Sequence, residues 1–205
     1  LRCCNPFTRS TTATHNWPHG LPAFWIFWKR DWPPDPMTSS HVLIRPEAPA
    51  DTASIEAVTI AAFREAEHTS HNEQDIVRAL REAGALTVSL VAERDGAVVG
   101  HVAISPVSIA DGASGWFGLG PISVLPAQQG CGIGAGLMRA ALDQLRTLGA
   151  AGCVVLGDPA YYGRFGFRAE PSLVFPGVPA EYFQALILRG ALPNGTVTYH
   201  PGFYA

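Results

Sequence analysis

The sequence predicts a mixed α/β fold, antiparallel in its front half and closed by a parallel crossover. Two observations carry this expectation. From residue 41 onward, apolar alternation and helical spacing succeed one another in the order β-α-α-β-β-β-α-β-α-β-β. Two β-rich runs meet at Asp95-Gly96, a strong two-residue hairpin signal, whereas the run ending near Leu125 is followed by a long amphipathic helix and then another strand. A helix between two strands is the usual way to join parallel neighbours.

Residues 41–45 (His-Val-Leu-Ile-Arg) read as a short strand stopped by Pro46. Asp51 stands where an N-cap belongs, and Ile55, Val58, Ala62 and Phe63 then recur at helical spacing. A second helix fits residues 73–83, with Ile76, Val77, Leu80 and Ala83 on one side and Gly84 at its stop. Residues 86–93 and 97–105 form the hairpin, and 117–125 another strand. Between 132 and 148, Leu137, Met138, Ala141, Leu142, Leu145 and Leu148 draw an apolar stripe closed by Gly149. Residues 153–156 read as a buried strand, 159–164 as a turn of helix opened by Pro159, and 183–188 and 196–200 as two last strands.

The composition narrows the function. The 205 residues are 47% hydrophobic and 15% charged, with a formal net charge of −3, so neither a disordered polyelectrolyte nor a broad basic nucleic-acid surface is expected. The apolar run 21–28 has eight residues, short of the ~18 that span a bilayer, so no membrane partner is expected. Four cysteines are too few for a disulfide scaffold, which makes a reducing cytoplasm the expected location.

That average conceals two pieces. Residues 1–36 hold four of the five tryptophans (Trp17, Trp25, Trp28, Trp32) and the only lysine, Lys29, and show neither a helical nor a strand period. Met37 opens a run leading directly into the first strand. Residues 1–36 are therefore expected to be an irregular extension outside the native domain, and residues 37–205 the domain itself. The alternative is an arm that binds a partner through its tryptophans and the Lys29-Arg30 pair.

The chemistry concentrates between Gly120 and Phe167. A β-run, Pro121-Ile-Ser-Val-Leu-Pro126, leads into Gln129-Gly130-Cys131-Gly132-Ile133-Gly134-Ala135, where a helix begins. Glycines let backbone N–H groups converge, and a helix N-terminus adds unpaired donors and a positive dipole end, so the stretch reads as a cradle for an anion such as pyrophosphate. A Walker loop would need Lys-Ser/Thr where Ala135-Gly136 stands. Gly130-x-Gly132-x-x-Ala135 formally fits a dinucleotide fingerprint, but Pro126-Ala-Gln-Gln separates it from the strand and few βα units follow. Glycines that serve only close helix packing are the third alternative.

Gln129-x-x-Gly132-x-Gly134 resembles the signature of the GNAT superfamily of acyl-CoA-dependent N-acyltransferases. Ile44-Arg45-Pro46 with Ala50-Asp51 is similar to that family's opening strand and helix start. Pro159-Ala160-Tyr161-Tyr162-Gly163-Arg164-Phe165-Gly166-Phe167 resembles its closing Tyr-x-x-x-Gly-Phe element. The likeness covers roughly residues 42–205. It implies a central, mostly antiparallel twisted sheet flanked by helices, and an N-acetyltransferase taking acetyl-CoA as cosubstrate without a metal.

The resemblance also assigns roles. Ile122, Ser123 and Val124 would pair with the pantetheine arm, and the Val124 N–H would polarise the thioester carbonyl. The amides of Gln129, Gly130, Cys131, Gly132, Ile133, Gly134 and Ala135 would hold the pyrophosphate, helped by Arg139 or Arg164. Cys131 departs from the Lys or Arg of many relatives. Tyr162 would be the catalytic acid that protonates the departing thiolate; a packed aromatic cluster of Tyr161, Tyr162, Phe165 and Phe167 is the competing role. Glu67, His68 and His71 are weak candidates for a base, His101 reads as a core residue within a strand, and Asp158 as a turn former. The acceptor would be a primary amine of a small molecule or a protein, and the chain a monomer or homodimer. A non-catalytic acyl-CoA or nucleotide-binding module on the same fold is the alternative.

Overall fold

The computed structural model describes residues 42–64 and 72–204. The extension 1–36 and the candidates Glu67, His68 and His71 lie outside the described residues.

Among the described residues, four α-helices and ten strands follow one another as β1 (Val42–Pro46), α1 (Thr52–Phe63), α2 (Glu73–Glu82), β2 (Val88–Arg94), β3 (Ala97–Pro106), β4 (Ser108–Ile109), β5 (Trp116–Val124), α3 (Ile133–Thr147), β6 (Gly152–Leu156), α4 (Pro159–Tyr162), β7 (Arg168–Ala169), β8 (Leu173–Val174), β9 (Phe183–Ile187) and β10 (Gly195–Thr198). Seven strands make the main sheet in the order β1-β2-β3-β5-β6-β9-β7, antiparallel throughout except for β5 and β6. β4, β10 and β8 form a small second sheet.

The hairpin and the crossover both form where expected. Asp95 and Gly96 each take a positive φ, 51° and 78°, the backbone a two-residue hairpin turn needs. Helix α3 links the parallel pair β5 and β6. It buries Ile133, Leu137, Met138, Ala141, Leu142 and Leu145 on one face of the sheet, each worth about 1.5–3 kcal/mol for a large side chain. α1 and α2 cover the other face with Ile55, Val58, Ile76, Val77 and Leu80. Gly100 lets α3 sit close, because a Cβ there would stand 3.1 Å from Leu137 Cδ1 and 3.3 Å from Ile133 Cγ2.

Two local expectations are corrected, and three short strands were not expected. The Asp51 carboxylate does not cap α1; it accepts from the Ala48 N–H at 2.7 Å and from the Arg45 guanidinium, which hold its pKa well down. The strand expected to reach His200 stops at Thr198, because His200 Nδ1 accepts from the Gly202 N–H at 3.1 Å and starts a helical turn. β4, β7 and β8 have two residues each, too few to show a period.

Candidate active site

Strand β5 is the axis of the site. Its pairing with β6 runs only from Trp116↔Gly152 to Leu119↔Val155, whereas its pairing with β3 continues to Gly100↔Val124. Among the described residues, the far half of β5 therefore has a neighbour on one edge only. The parting begins at an irregularity where Val102↔Ile122 is followed by Ile104↔Leu119, three residues of β5 against two of β3. Gly120 occupies this point with φ 149°; it is buried, yet beyond its chain neighbours no atom lies within 4 Å of where its Cβ would stand. The sheet encloses space there.

The alternation of an antiparallel ladder says which groups face that space. Leu125 N donates to Val99 O at 2.9 Å, so the pairs Val99–Leu125 and His101–Ser123 are the hydrogen-bonded ones. Val124 and Ile122 fall between them and turn their N–H and C=O away from β3, into the opening. The Gln129 side chain meets one of these groups: its Nε2 donates to Val124 O at 3.1 Å. The Val124 N–H faces the same way.

Gln129 also starts the cradle. Gly130 and Gly132 take φ of 75° and 79°, in the left-handed region that favours glycine, and Gly132 is the N-cap of α3. No side chain caps this end, and the first helical bond is Gly136 N to Gly132 O at 2.9 Å. The amides of Ile133, Gly134 and Ala135 thus precede any intrahelical acceptor. The side chains of Ile133 and Ala135 are buried. Cys131 is half-buried, its Sγ 3.7 Å from Gln129 O. All the expected cradle residues therefore adjoin the end of β5. Arg139 and Arg164 converge on Phe165, at 6.0 Å and 5.9 Å from its ring centre.

Tyr162, at the end of α4, lies against Gly157, the residue that follows β6. Its ring occupies the room left by Gly157, where a Cβ would come within 2.3 Å of Cε2, and it meets Tyr161 and Phe167 edge-on at 5.0 Å and 6.0 Å. It is fully buried, and its hydroxyl has no hydrogen-bond partner among the described residues. Burial, with Tyr161, Tyr199, Asp158 and Cys153 nearby, pushes its pKa well above that of a free phenol. The phenol therefore stays protonated at neutral pH. Asp158 accepts from Ala160 N at 2.8 Å, capping α4 as a turn former would.

Residues that sequence reasoning missed surround this frame. Thr59 on α1 reaches the Ser123 hydroxyl at 3.2 Å, and Tyr199 covers Gly118, whose Cβ would stand 2.3 Å from its ring. Neither contact has a local signal, since each joins segments far apart in sequence. A shallow groove between α1 and α2 is lined by Ile55, Thr59, Gln74, Val77, Arg78 and Arg81. Among the described residues no group of three or more His, Cys, Asp or Glu side chains could hold a metal ion, and no helix is long and apolar enough to cross a membrane.

Comparison with known proteins bears on this geometry. A model described as the acetyltransferase (GNAT) family matches residues 52–167. The Escherichia coli (strain K12) protein called Uncharacterized N-acetyltransferase YhbS is 37% identical over 169 residues, covering 79% of this chain and 98% of its own. A crystal structure of a GNAT family acetyltransferase from Brucella melitensis in complex with acetyl-CoA is 52% identical, with a TM-score of 0.72 over 80% of this chain and 99% of that one. The structure of E. coli YhbS in complex with CoA is 36% identical, with a TM-score of 0.72 over 83% and 95%.

Proposed function

Because the chain belongs to the GNAT family of acetyltransferases, we propose that it transfers the acetyl group of acetyl-CoA to a primary amine by direct attack. The observation that carries the reading is the Tyr162 hydroxyl: a protonated phenol, buried and without a hydrogen-bond partner among the described residues, on a ring packed against Gly157 just after β6. Leaving such a group unsatisfied costs about 1–3 kcal/mol, a cost that an acceptor arriving with the ligand relieves. The Brucella relative crystallised with acetyl-CoA supports the same cosubstrate here.

The residues present fit that cosubstrate. The outward groups of Ile122 and Val124 suit an extended amide chain laid beside β5 as an added strand. The amides from Gly130 to Ala135, at the positive end of α3, suit a pyrophosphate. Charge placement matters because residues 37–205 hold 10 arginines, no lysine and 15 acidic residues. Local dipoles, not overall attraction, must hold a tetra-anionic ligand. When bound, acetyl-CoA supplies a thioester carbon open to attack by a neutral amine. The Val124 N–H is aimed to stabilise charge growing on the carbonyl oxygen. Tyr162 gives its proton to the departing sulfur.

The test is thiol release from acetyl-CoA across a panel of primary amines and peptides. Amine-dependent release is the expected result. A protein that binds CoA yet releases no thiol with any amine of the panel would be a binding module and would refute the enzyme reading.

A further inference from the structure

Resting on the acetyl-transfer reading, we propose that Glu73, a carboxylate buried in the first turn of α2, receives the ammonium of the acceptor and takes its proton, which makes the acceptor an aliphatic amine, charged at neutral pH. Glu73 is 0% exposed. The only other buried carboxylate among the described residues, Asp51, is held by Arg45 just before α1. Helix geometry says where Glu73 faces. Glu73, Ile76 and Leu80 follow one another at i, i+3 and i+7, one buried row along α2. Ile76 and Leu80 pack into the core that holds Trp116, Val154, Leu156 and Tyr199. The row therefore faces β5 and β6, and Glu73 continues it by about one turn, roughly 5 Å.

The neighbouring helix fixes the level of that turn. α2 runs antiparallel to α1: Arg78 is 3.8 Å from Glu56, and Arg81, one turn on, holds Glu47, which precedes α1. Toward its N-terminus α2 therefore comes level with Thr59 and the end of α1. Thr59 meets the Ser123 hydroxyl at 3.2 Å, so this level lies over the far half of β5. There β5 has left β6, since their pairing ends at Leu119↔Val155.

The same side of the sheet has room. Leu119 and Ile122 belong to the core under α3, whereas Gly118 is covered by Tyr199 on the opposite face. Gly120 and Pro121, between Leu119 and Ile122, are left to the side of α1 and α2. Beyond the chain neighbours of Gly120, no atom of the described residues lies within 4 Å of where its Cβ would stand. A buried carboxylate, a buried space and the outward N–H of Val124 thus meet along one stretch of β5. An acid in a first turn also suits the helix dipole, but Asp75, part-exposed in the same turn and paired with Arg78, serves that end without burial.

Burial gives the carboxylate its chemistry. In water an ammonium keeps its proton beside a carboxylate, because both charges are well solvated. Out of water, proton transfer removes both charges at once, and the ion pair relaxes toward neutral amine and neutral acid. The proton balance closes. Glu73 takes one proton from the ammonium, and the freed lone pair forms the N–C bond while the C–S bond breaks and Tyr162 protonates the sulfur. A second proton from the nitrogen restores Tyr162, and Glu73 returns the first to water as the product leaves. An acceptor already neutral at pH 7 has no need of Glu73.

Two measurements on the full chain decide the matter. In thiol release at pH 7, E73Q should slow transfer to the best alkylamine of the panel roughly 100-fold or more, with a deficit about tenfold smaller for methoxyamine, which is neutral at that pH. E73D, which keeps the carboxylate, should recover part of the alkylamine rate. Equal deficits for the two acceptors, or none, overturn the role of Glu73 while the acetyl-transfer reading stands. The second measurement needs no variant. Titrated into the CoA-loaded wild type, the alkylamine should bind about tenfold or more tighter than the alcohol of the same carbon skeleton, and equal affinity overturns the proposal. This titration decides alone should E73Q fail to fold or methoxyamine not be accepted. A wild-type protein inert to every amine overturns both readings.

Discussion

Tyr162→Phe removes one oxygen from a fully buried ring and leaves the contacts with Gly157, Tyr161 and Phe167 in place. The structure gives this change two opposite signs. In the unliganded protein the hydroxyl is unpartnered, at a cost of about 1–3 kcal/mol, so the variant should be more stable by ~1 kcal/mol or more. For a domain of this size each such increment raises the melting temperature by roughly 2–4 °C. The reaction loses its proton donor, for which a 10²–10⁴-fold fall in kcat is expected, about 2.7–5.4 kcal/mol of barrier. Calorimetric melting and thiol release on the same preparation read both effects. A variant that melts below the wild type would mean that the hydroxyl is satisfied in the native fold. A more stable variant with undiminished kcat would refute the acid role.

Three further outcomes are expected. Gly132→Asp places a carboxylate where phosphate is proposed to bind, on a left-handed backbone with φ 79°; CoA affinity by titration calorimetry should fall at least 100-fold, with a loss of stability of roughly 1–2 kcal/mol from the backbone. Gly157→Ala sets a Cβ 2.3 Å from Tyr162 Cε2, on a backbone tied to Tyr182 O and to the Gln184 side chain, so the ring must move. Overpacking of about 1–3 kcal/mol and a kcat loss with little change in CoA affinity should follow. Acid should weaken the fold through His101. The unfolded ring binds a proton near pH 6.5 and the folded one only near 4, so stability is full above about 6.5 and falls by about 3 kcal/mol as pH drops to 4. Urea unfolding across that range should show a shallower limb for H101Q.

Much of the frame was legible because its physics is local. The stripe from Leu137 to Leu145 and the Asp95-Gly96 turn carry their geometry in adjacent residues, and the glycines around Cys131 announce a cradle. The parting of β5 from β6 was not legible from periodicity, since an apolar run has the same pattern whether or not a neighbour lies beside it; only family likeness suggested it. Asp51 illustrates a different failure. Its position invites a cap, but Arg45, brought close by the fold, makes a stronger partner for the carboxylate than a helix amide does.

The parting of β5 from β6 also makes the sheet a two-leaf assembly. One leaf holds β1, β2, β3 and β5, the other β6, β9 and β7, and only the four residue pairs from Trp116↔Gly152 to Leu119↔Val155 rivet them together. Their covalent link is the cradle and α3. In the binding mode proposed above, a cosubstrate lying along β5 with its phosphates on α3 and its sulfur beside Tyr162 would touch both leaves and the strap between them. Such a molecule would act as a splint, and the resistance of the sheet to being pulled apart would then rise with cosubstrate occupancy.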